Sequence, residues 1–543
     1  MGMTPARYGL AGTQPLLMIG MWLILVLTAL YTRPLWPINE TRYVSVAWEM
    51  WLRGDFLVPY LNGEPYSHKP PLMFWLFQAG WWVFGVNDWW PRLVPSLFAL
   101  ANLFLTARLA RLLWPQHETA VRHVPLILLG CLLWTFFTTV TLFDMLLTCF
   151  TLLGLLGVLH VWRNGGVRGW LILGVAIGMG VLSKGPVILL HTLPVALLAP
   201  WWAVGSGPSN WKSWYGGIVL AIVLGTGIAL AWAIPAAWSG GPAYGHALFW
   251  AQTADRLVES FAHRRTWWWY LPLLPVFLLP WSVWPPLWRG LKKMWAESRG
   301  GAVNPGVRFC LAWLAPVFLA LSAISGKQVQ YLLPTLPAFA LLISYAVFMT
   351  GNEIADRDGW WPGLSLFLLG TGLACIPYLS VYYPAAEWVT HVSPVTGLVV
   401  ALSGILFAVF AGKQKGRSVS TLMLTSVLLI VMVQWGVVRT AAPAFDLKAI
   451  GKYLNSLQQA GYPIAHVHDY YGQYQFVGRL REPLQVIARA EIIPWIEAHP
   501  SGRIVIYSGD SYPHGIGKPE YIHPYRGLTF SVWTRAALLM NLQ

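Results

Sequence analysis

What most restricts this chain is a succession of apolar runs, each close to 20 residues long, that starts at Pro15 and ends at Val438. A helical run of that length crosses the ~30 Å hydrocarbon core of a bilayer. No water is available there, so each span must satisfy its backbone polar groups internally, which leaves helices as the folding unit. The runs fall at 15–30, 91–114, 124–142, 145–162, 169–183, 186–203, 215–236, 267–288, 309–325, 331–349, 360–382, 394–411 and 419–438, so thirteen spans are expected. The first is too long for a signal-peptide core and lacks a small-residue cleavage site, so it counts as a span. Residues 70–86, opened by Pro70 and Pro71, have a shorter apolar stretch and read as an interfacial helix. Only 10% of the residues are charged, against about 25% in soluble domains. That contrast excludes a soluble enzyme, a disordered chain and a repeat scaffold.

Charge then orients the spans. The net charge of +15 is scattered through short loops, which fits bilayer headgroups better than nucleic acid. With the N-terminus cytoplasmic, one side collects Arg108, Arg111, Arg122, Arg163, Arg168, Lys212, Arg289, Lys292 and Lys293 with few acids. The positive-inside rule therefore places the C-terminal tail outside. The 34 tryptophans suit the membrane–water interface. The four cysteines lie in apolar runs without metal-ligand spacing and read as small core residues. Past residue 439 the pattern changes: helix at 446–458, strand at 464–468, helix at 491–498, strand at 504–507. Two domains are expected, a membrane domain over 1–439 and a soluble α/β domain over 440–543, the latter a lid or platform without a catalytic motif of its own.

On the outer side the chemistry-bearing residues converge. The first external loop, 33–69, contains a helix-spaced stretch with Tyr43, Val46, Ala47, Met50 and Trp51 on one face. An interfacial helix of that kind holds Glu40, Glu49 and Asp55 just outside the hydrocarbon. Glu49 reads as solvation of the helix; Asp55, after Gly54, is a site candidate. Asp144 stands between two spans, where a carboxylate is costly and marks a site or caps the next helix. Lys184, the loop bases Arg256, Arg264 and Arg265, and Lys327 are bases on the side that should be poor in them. Several converging cations fit a phosphate held at the membrane surface. Glu64, His68 and His263 are the residues that would gather a divalent ion, but their spacing matches no metal-ligand pattern. No nucleotide-binding loop or Ser-His-Asp arrangement is present. The energy of any reaction must therefore come from an activated substrate, and no cofactor is expected.

The series Asn39-Glu40-Thr41-Arg42-Tyr43, Gly54-Asp55-Phe56, His68-Lys69-Pro70-Pro71, Asp144-Met145, Ser183-Lys184-Gly185 and Lys327-Gln328-Val329-Gln330-Tyr331 resembles, in order, bacterial lipid A aminoarabinose transferases. These are membrane glycosyltransferases of the GT-C fold, close to the protein O-mannosyltransferases. The resemblance runs over about residues 15–440. It implies transfer of 4-amino-4-deoxy-L-arabinose from undecaprenyl phosphate to lipid A phosphates at the periplasmic face of the bacterial inner membrane, giving resistance to polymyxin and cationic peptides. It also implies catalytic roles for Asp55 and Glu40, support from Asp144, and phosphate binding by Lys69, Lys184, Arg256 and Lys327 with Tyr331 as hydrogen-bond donor. One departure is Asn39, where the family usually has Asp. Two rival readings are a polyprenyl-phosphate-dependent protein O-glycosyltransferase and a lipid-linked sugar flippase. The flippase predicts paired inverted repeats, and no internal duplication is evident.

Overall fold

The structure, a computed structural model, describes residues 14–204, 210–250, 264–300, 303–351, 355–382, 386–410, 418–508 and 517–540. Among these, eight helices are long and apolar enough to cross a membrane, with shorter apolar helices at Leu72–Phe84, Val187–Leu197 and Pro394–Phe410. The chain is a multi-pass membrane protein.

The order at the N-terminal end is α1 (Gln14–Thr32), α2 (Asn39–Arg53), a two-stranded hairpin β1 (Tyr60–Leu61) and β2 (Glu64–Pro65), α3 (Leu72–Phe84), α4 (Trp89–Leu113), α5 (Glu118–Gly130), α6 (Leu132–Phe137), α7 (Asp144–Asn164), α8 (Arg168–Lys184) and α9 (Val187–Leu197). α2 is the amphipathic helix expected in the first loop. Glu40 lies in its first turn and Arg53 in its last, each suited to the helix dipole. Gly54, left-handed at φ 66°, ends it by donating its N–H to the Trp51 carbonyl. α7 and α8 approach backbone to backbone: a methyl group on Gly157 or Gly169 would collide with the other's carbonyl oxygen.

Several expected spans are broken. The run 124–142 divides at Cys131, which is extended, into α5 and α6. The run 267–288 becomes the helix Tyr270–Phe277, a 3-10 turn at Trp281–Val283 and a new helix from Pro285. Pro275, Pro280, Pro285 and Pro286 account for this, since each lacks the N–H that a continuous helix needs. The run 360–382 is α-helical only to Cys375 before tightening to 3-10.

The tail forms a five-stranded sheet, ordered β4 (Gln485–Ile487), β3 (Ile464–Val467), β5 (Arg503–Ser508), β7 (Leu528–Thr534), β6 (Tyr521–Tyr525). β3 runs parallel to both β4 and β5; β7 is antiparallel to β5 and β6. Alternation along the strands feeds two cores. Ile464 and Val505 share one with Ile450 and Leu454 of the helix Lys448–Gln459; Ala465, Val467, Ile504 and Ile506 share the other with Trp495 and Ile496. This sheet docks on the first loop. Ser45 Oγ donates to the Gly472 carbonyl (2.7 Å) and accepts from Phe476 N (3.1 Å), and Trp48 Nε1 donates to the Leu480 carbonyl (2.8 Å). Asn62 and Leu484 exchange two bonds of 2.8 and 2.7 Å. Arg479 and Lys448 both reach Asp88, at 2.7 and 3.6 Å.

Candidate active site

Two helix ends build the centre of the site. Asp144 is the first residue of α7 and Lys184 the last of α8, so each charge opposes the dipole of its own helix. Because α7 and α8 are antiparallel neighbours, these ends meet, and Lys184 Nζ is hydrogen-bonded to Asp144 Oδ1 in a largely buried ion pair. Gly185, at φ 84°, ends α8 immediately after the lysine. The Lys184 ammonium also lies 4.8 Å from the Tyr331 ring centroid, on the 3-10 turn Val329–Thr335. The Lys69 ammonium lies 5.6 Å from the ring of Phe143, the residue before Asp144. Phe143 is a hub that sequence reasoning missed. It meets Tyr43 of α2 (4.9 Å, edge-on) and Phe74 of α3 (5.7 Å, edge-on). Lys69, Asp144, Lys184 and Tyr331, four of the expected residues, are thus gathered into one cluster.

Glu40 flanks it in a different state. It is 2% exposed, yet each of its oxygens accepts two bonds. Oε2 takes Arg33 Nη1 (2.5 Å) and Trp36 N (2.7 Å); Oε1 takes Arg33 Nη2 (3.1 Å) and Thr141 N (2.7 Å). Burial alone would raise its carboxyl pKa, but the Arg33 guanidinium and its bonds, then Arg92 and the Thr141 N–H, outweigh that and hold it below the ordinary carboxylate value. Arg33 also donates to the Thr139 carbonyl at 2.8 Å. The pair therefore clamps residues 139–141, the approach to Phe143 and Asp144. Arg33, the first residue of the first external loop, carries no motif that would mark it.

Asp55 lies on a third flank. Its Oδ1 accepts from Leu57 N (2.8 Å) and Val58 N (3.1 Å), closing an Asx turn. Among the described residues no hydrogen bond or ion pair joins Asp55 to the Asp144 cluster. Trp232 Nε1, from the long helix Trp211–His246, donates to the Leu57 carbonyl at 2.9 Å. Further along that helix Tyr244, only 4% exposed, keeps a buried hydroxyl without a partner within electrostatic reach of Asp55 and Tyr60. No sequence signal separates Tyr244 from an ordinary interfacial tyrosine.

The remaining expectations distribute as follows. Lys327 is 3% exposed, and its ammonium donates to the carbonyls of Ile324 and Arg265, the latter at 3.4 Å. It thereby ties the end of the helix Pro305–Ala323 to the strand-like bridge between Arg264 and Gly326. Glu49, expected to solvate α2, is instead buried at 4% exposure, where it holds Arg53 (2.8 Å) and the Gly63 N–H (2.8 Å) and so ties the helix to the hairpin turn. Arg256 and His263 lie outside the described residues. Among those described, no group of three or more His, Cys, Asp and Glu gathers to hold a metal. Beside Glu40 a cavity of about 240 Å³ runs along Asn39, Phe137, Leu142, Gln330 and Gln434. Its walls are mostly apolar, and Gln330 joins it to the turn that carries Tyr331. Asn39 itself accepts from Arg42 Nη2 at 2.8 Å.

Residues 68–236, which carry Lys69, Asp144 and Lys184, match the family described as dolichyl-phosphate-mannose-protein mannosyltransferase. An undecaprenyl phosphate-alpha-4-amino-4-deoxy-L-arabinose arabinosyl transferase from one strain of Pseudomonas aeruginosa is 32% identical over 392 residues, 69% of this chain and 67% of that one. The chain belongs to this transferase family. A second Pseudomonas aeruginosa strain's transferase is 32% identical over 66% of this chain, and there the match spans 64% of the relative's length. The Erwinia tasmaniensis transferase is 30% identical over 67% of this chain and 63% of its own. Among solved structures, ArnT from Cupriavidus metallidurans bound to undecaprenyl phosphate superposes with a TM-score of 0.73 at 19% identity, covering 97% of this chain and 99% of that one. That agreement establishes the GT-C fold for the membrane portion and extends through the C-terminal sheet.

Proposed function

We propose that this family member transfers 4-amino-4-deoxy-L-arabinose from undecaprenyl phosphate to the phosphates of lipid A, on the periplasmic face of the inner membrane. The observation that carries the reading is the Lys69–Phe143–Asp144–Lys184–Tyr331 cluster. It pairs Lys184 with Asp144 and the Tyr331 ring and sets Lys69 against the neighbouring Phe143 ring, two cations near one helix end that suit a phosphate-linked donor. In the reaction the bond between the sugar's C1 and the undecaprenyl phosphate oxygen breaks while a lipid A phosphate oxygen bonds to C1. That phosphate is already ionised at neutral pH, so a general base adds little. The demand is electrostatic: to hold two phosphates and to stabilise positive charge on the sugar.

Lys69 and Lys184 hold the donor phosphate in this reading, with Tyr331 donating to it. Asp144 keeps the Lys184 ammonium aimed until the phosphate arrives. Asp55, with Oδ2 open and the Tyr244 hydroxyl beside it, faces the sugar's cationic charge. Glu40 is a positioning residue that fixes the loop before Asp144, and Lys327 fixes the turn before Tyr331. Arg256 remains a phosphate-binding candidate from its sequence position. The cavity beside Glu40 takes the first isoprene units of the donor.

The test is mass spectrometry of lipid A from a transferase-null Gram-negative strain expressing the intact chain. An aminoarabinose adduct on lipid A, with raised polymyxin resistance, is the expected result. A well-expressed, membrane-inserted chain that yields no adduct would refute the substrate assignment. A second reading is favoured by the protein mannosyltransferase match over 68–236. A protein hydroxyl acceptor would then need Asp55 as a true base, so glycosylated protein and no lipid A adduct would appear instead.

A further inference from the structure

We propose that the end of the molecule opposite the candidate active site binds an anionic glycerophospholipid. α7 leaves the site at Asp144 and ends at Asn164, so its far end lies about 30 Å away at 1.5 Å per residue. There the α7–α8 turn and the start of the long helix Trp211–His246 enclose a cavity of about 670 Å³, walled by Trp162, Trp170 and Trp214 and edged by Asn210 and Ser213.

The charged groups near this cavity are all cations. The Arg163 guanidinium lies 5.1 Å from the ring centroid of Trp162, one of the cavity's walls, and donates to the Leu112 carbonyl. Arg168 and Lys212 stand exposed on the two segments that form the mouth. The sequence from Met145 to Ala254 contains no Asp or Glu, so these segments bring no counter-charge of their own. Gly165 and Gly166, at φ 67° and 78°, make the turn, and a side chain at either would meet nothing within 4 Å, which leaves the mouth open.

Size and setting select the occupant. Three indoles and the neighbouring aliphatic side chains suit acyl and glycerol carbons, and a free phosphate would leave most of 670 Å³ empty. The cavity lies at the ends of membrane-length helices, the depth at which headgroups and tryptophan rings meet. A phosphate diester there lies among the bases, an attraction of the kind that draws basic segments to anionic lipid.

The test is native mass spectrometry of the full chain released from detergent after loading with dioleoylphosphatidylglycerol, dioleoylphosphatidylcholine or inorganic phosphate. The wild type should retain one phosphatidylglycerol about fivefold over phosphatidylcholine, and inorganic phosphate should neither remain bound nor displace the lipid. The double variant Arg163→Gln with Lys212→Gln should cut that preference by about fivefold. Equal retention of the two lipids, an unchanged preference in that variant, or displacement by inorganic phosphate would overturn the proposal. The wild-type comparison needs no variant, so it decides the matter even if a variant fails to fold.

Discussion

Two buried ion pairs at the same end of the molecule differ in one respect. In Arg33–Glu40 every carboxylate oxygen is doubly bonded, to a guanidinium and to two backbone amides. In Asp144–Lys184 the carboxylate holds one ammonium, and that ammonium also borders the Tyr331 ring. A saturated pair has no capacity left for a ligand, so its effect is to fix backbone. An unsaturated pair can exchange a partner when an anion arrives. Burial and charge alone would not separate them; counting the remaining hydrogen-bond capacity does.

The comparison is broken most directly at Glu40. Glu40→Gln leaves Arg33 buried without its counter-ion and should cost about 3–5 kcal/mol of stability, read from unfolding in detergent. The pH dependence sharpens the point. Because the Glu40 pKa is held below its ordinary value of 4.5, its contribution is present above that pH and lost as acid protonates it in the folded state. The wild type should therefore lose stability below about pH 4.5 by a step that Glu40→Gln lacks. His466 supplies a separate acid limb. Burial lowers its imidazole from 6.5 to about 4, so the unfolded chain takes up a proton first and stability falls between those values, by about 3 kcal/mol in all. His466→Gln should abolish that limb.

At the unsaturated pair, Asp144→Asn should reduce turnover by about 100-fold, equivalent to ~2.7 kcal/mol of transition-state stabilisation. Asp144→Asn with Lys184→Gln should melt nearer to the wild type than either single variant does, without regaining activity, because no charge is left buried alone. If that double variant regained turnover, the pair would be scaffold like Arg33–Glu40. The smallest effect belongs to the sheet's attachment. Ser45→Ala removes two bonds between α2 and the C-terminal sheet and should lower the melting temperature by a shift corresponding to about 1–2 kcal/mol, with kcat little changed.

Much of the fold was legible because membrane spans are written in length and hydropathy, which need no knowledge of partners. α2 was readable from its face of Tyr43, Val46, Ala47, Met50 and Trp51, and β3, β5 and the two longer helices of the tail from their change of period. Where prolines interrupt an apolar run, as at 267–288, hydropathy sees continuity and the backbone does not. β4, β6 and β7 were missed: β4 is only three residues long, and Pro524 interrupts the pattern of β6. The residues gathered around Asp144 were legible as charges out of place on one side of the membrane. Their division of labour was not. Lys327 and Glu40 carry the same surprise in sequence as Lys184 and Asp144, and only the surrounding carbonyls and amides show that they are already occupied. Phe143 and Tyr244 carry no charge and gave no signal.

Among the described residues only Oδ1 of Asp55 is hydrogen-bonded, whereas both oxygens of Glu40 are. Asp55→Asn keeps the oxygen that closes the Asx turn with Leu57 and Val58 and removes only the charge. Lipid A mass spectrometry and unfolding of the same preparation should give loss of the aminoarabinose adduct with a melting temperature close to the wild type. An adduct that persists at wild-type levels in the Asp55→Asn chain would contradict the account and remove Asp55 from the reaction.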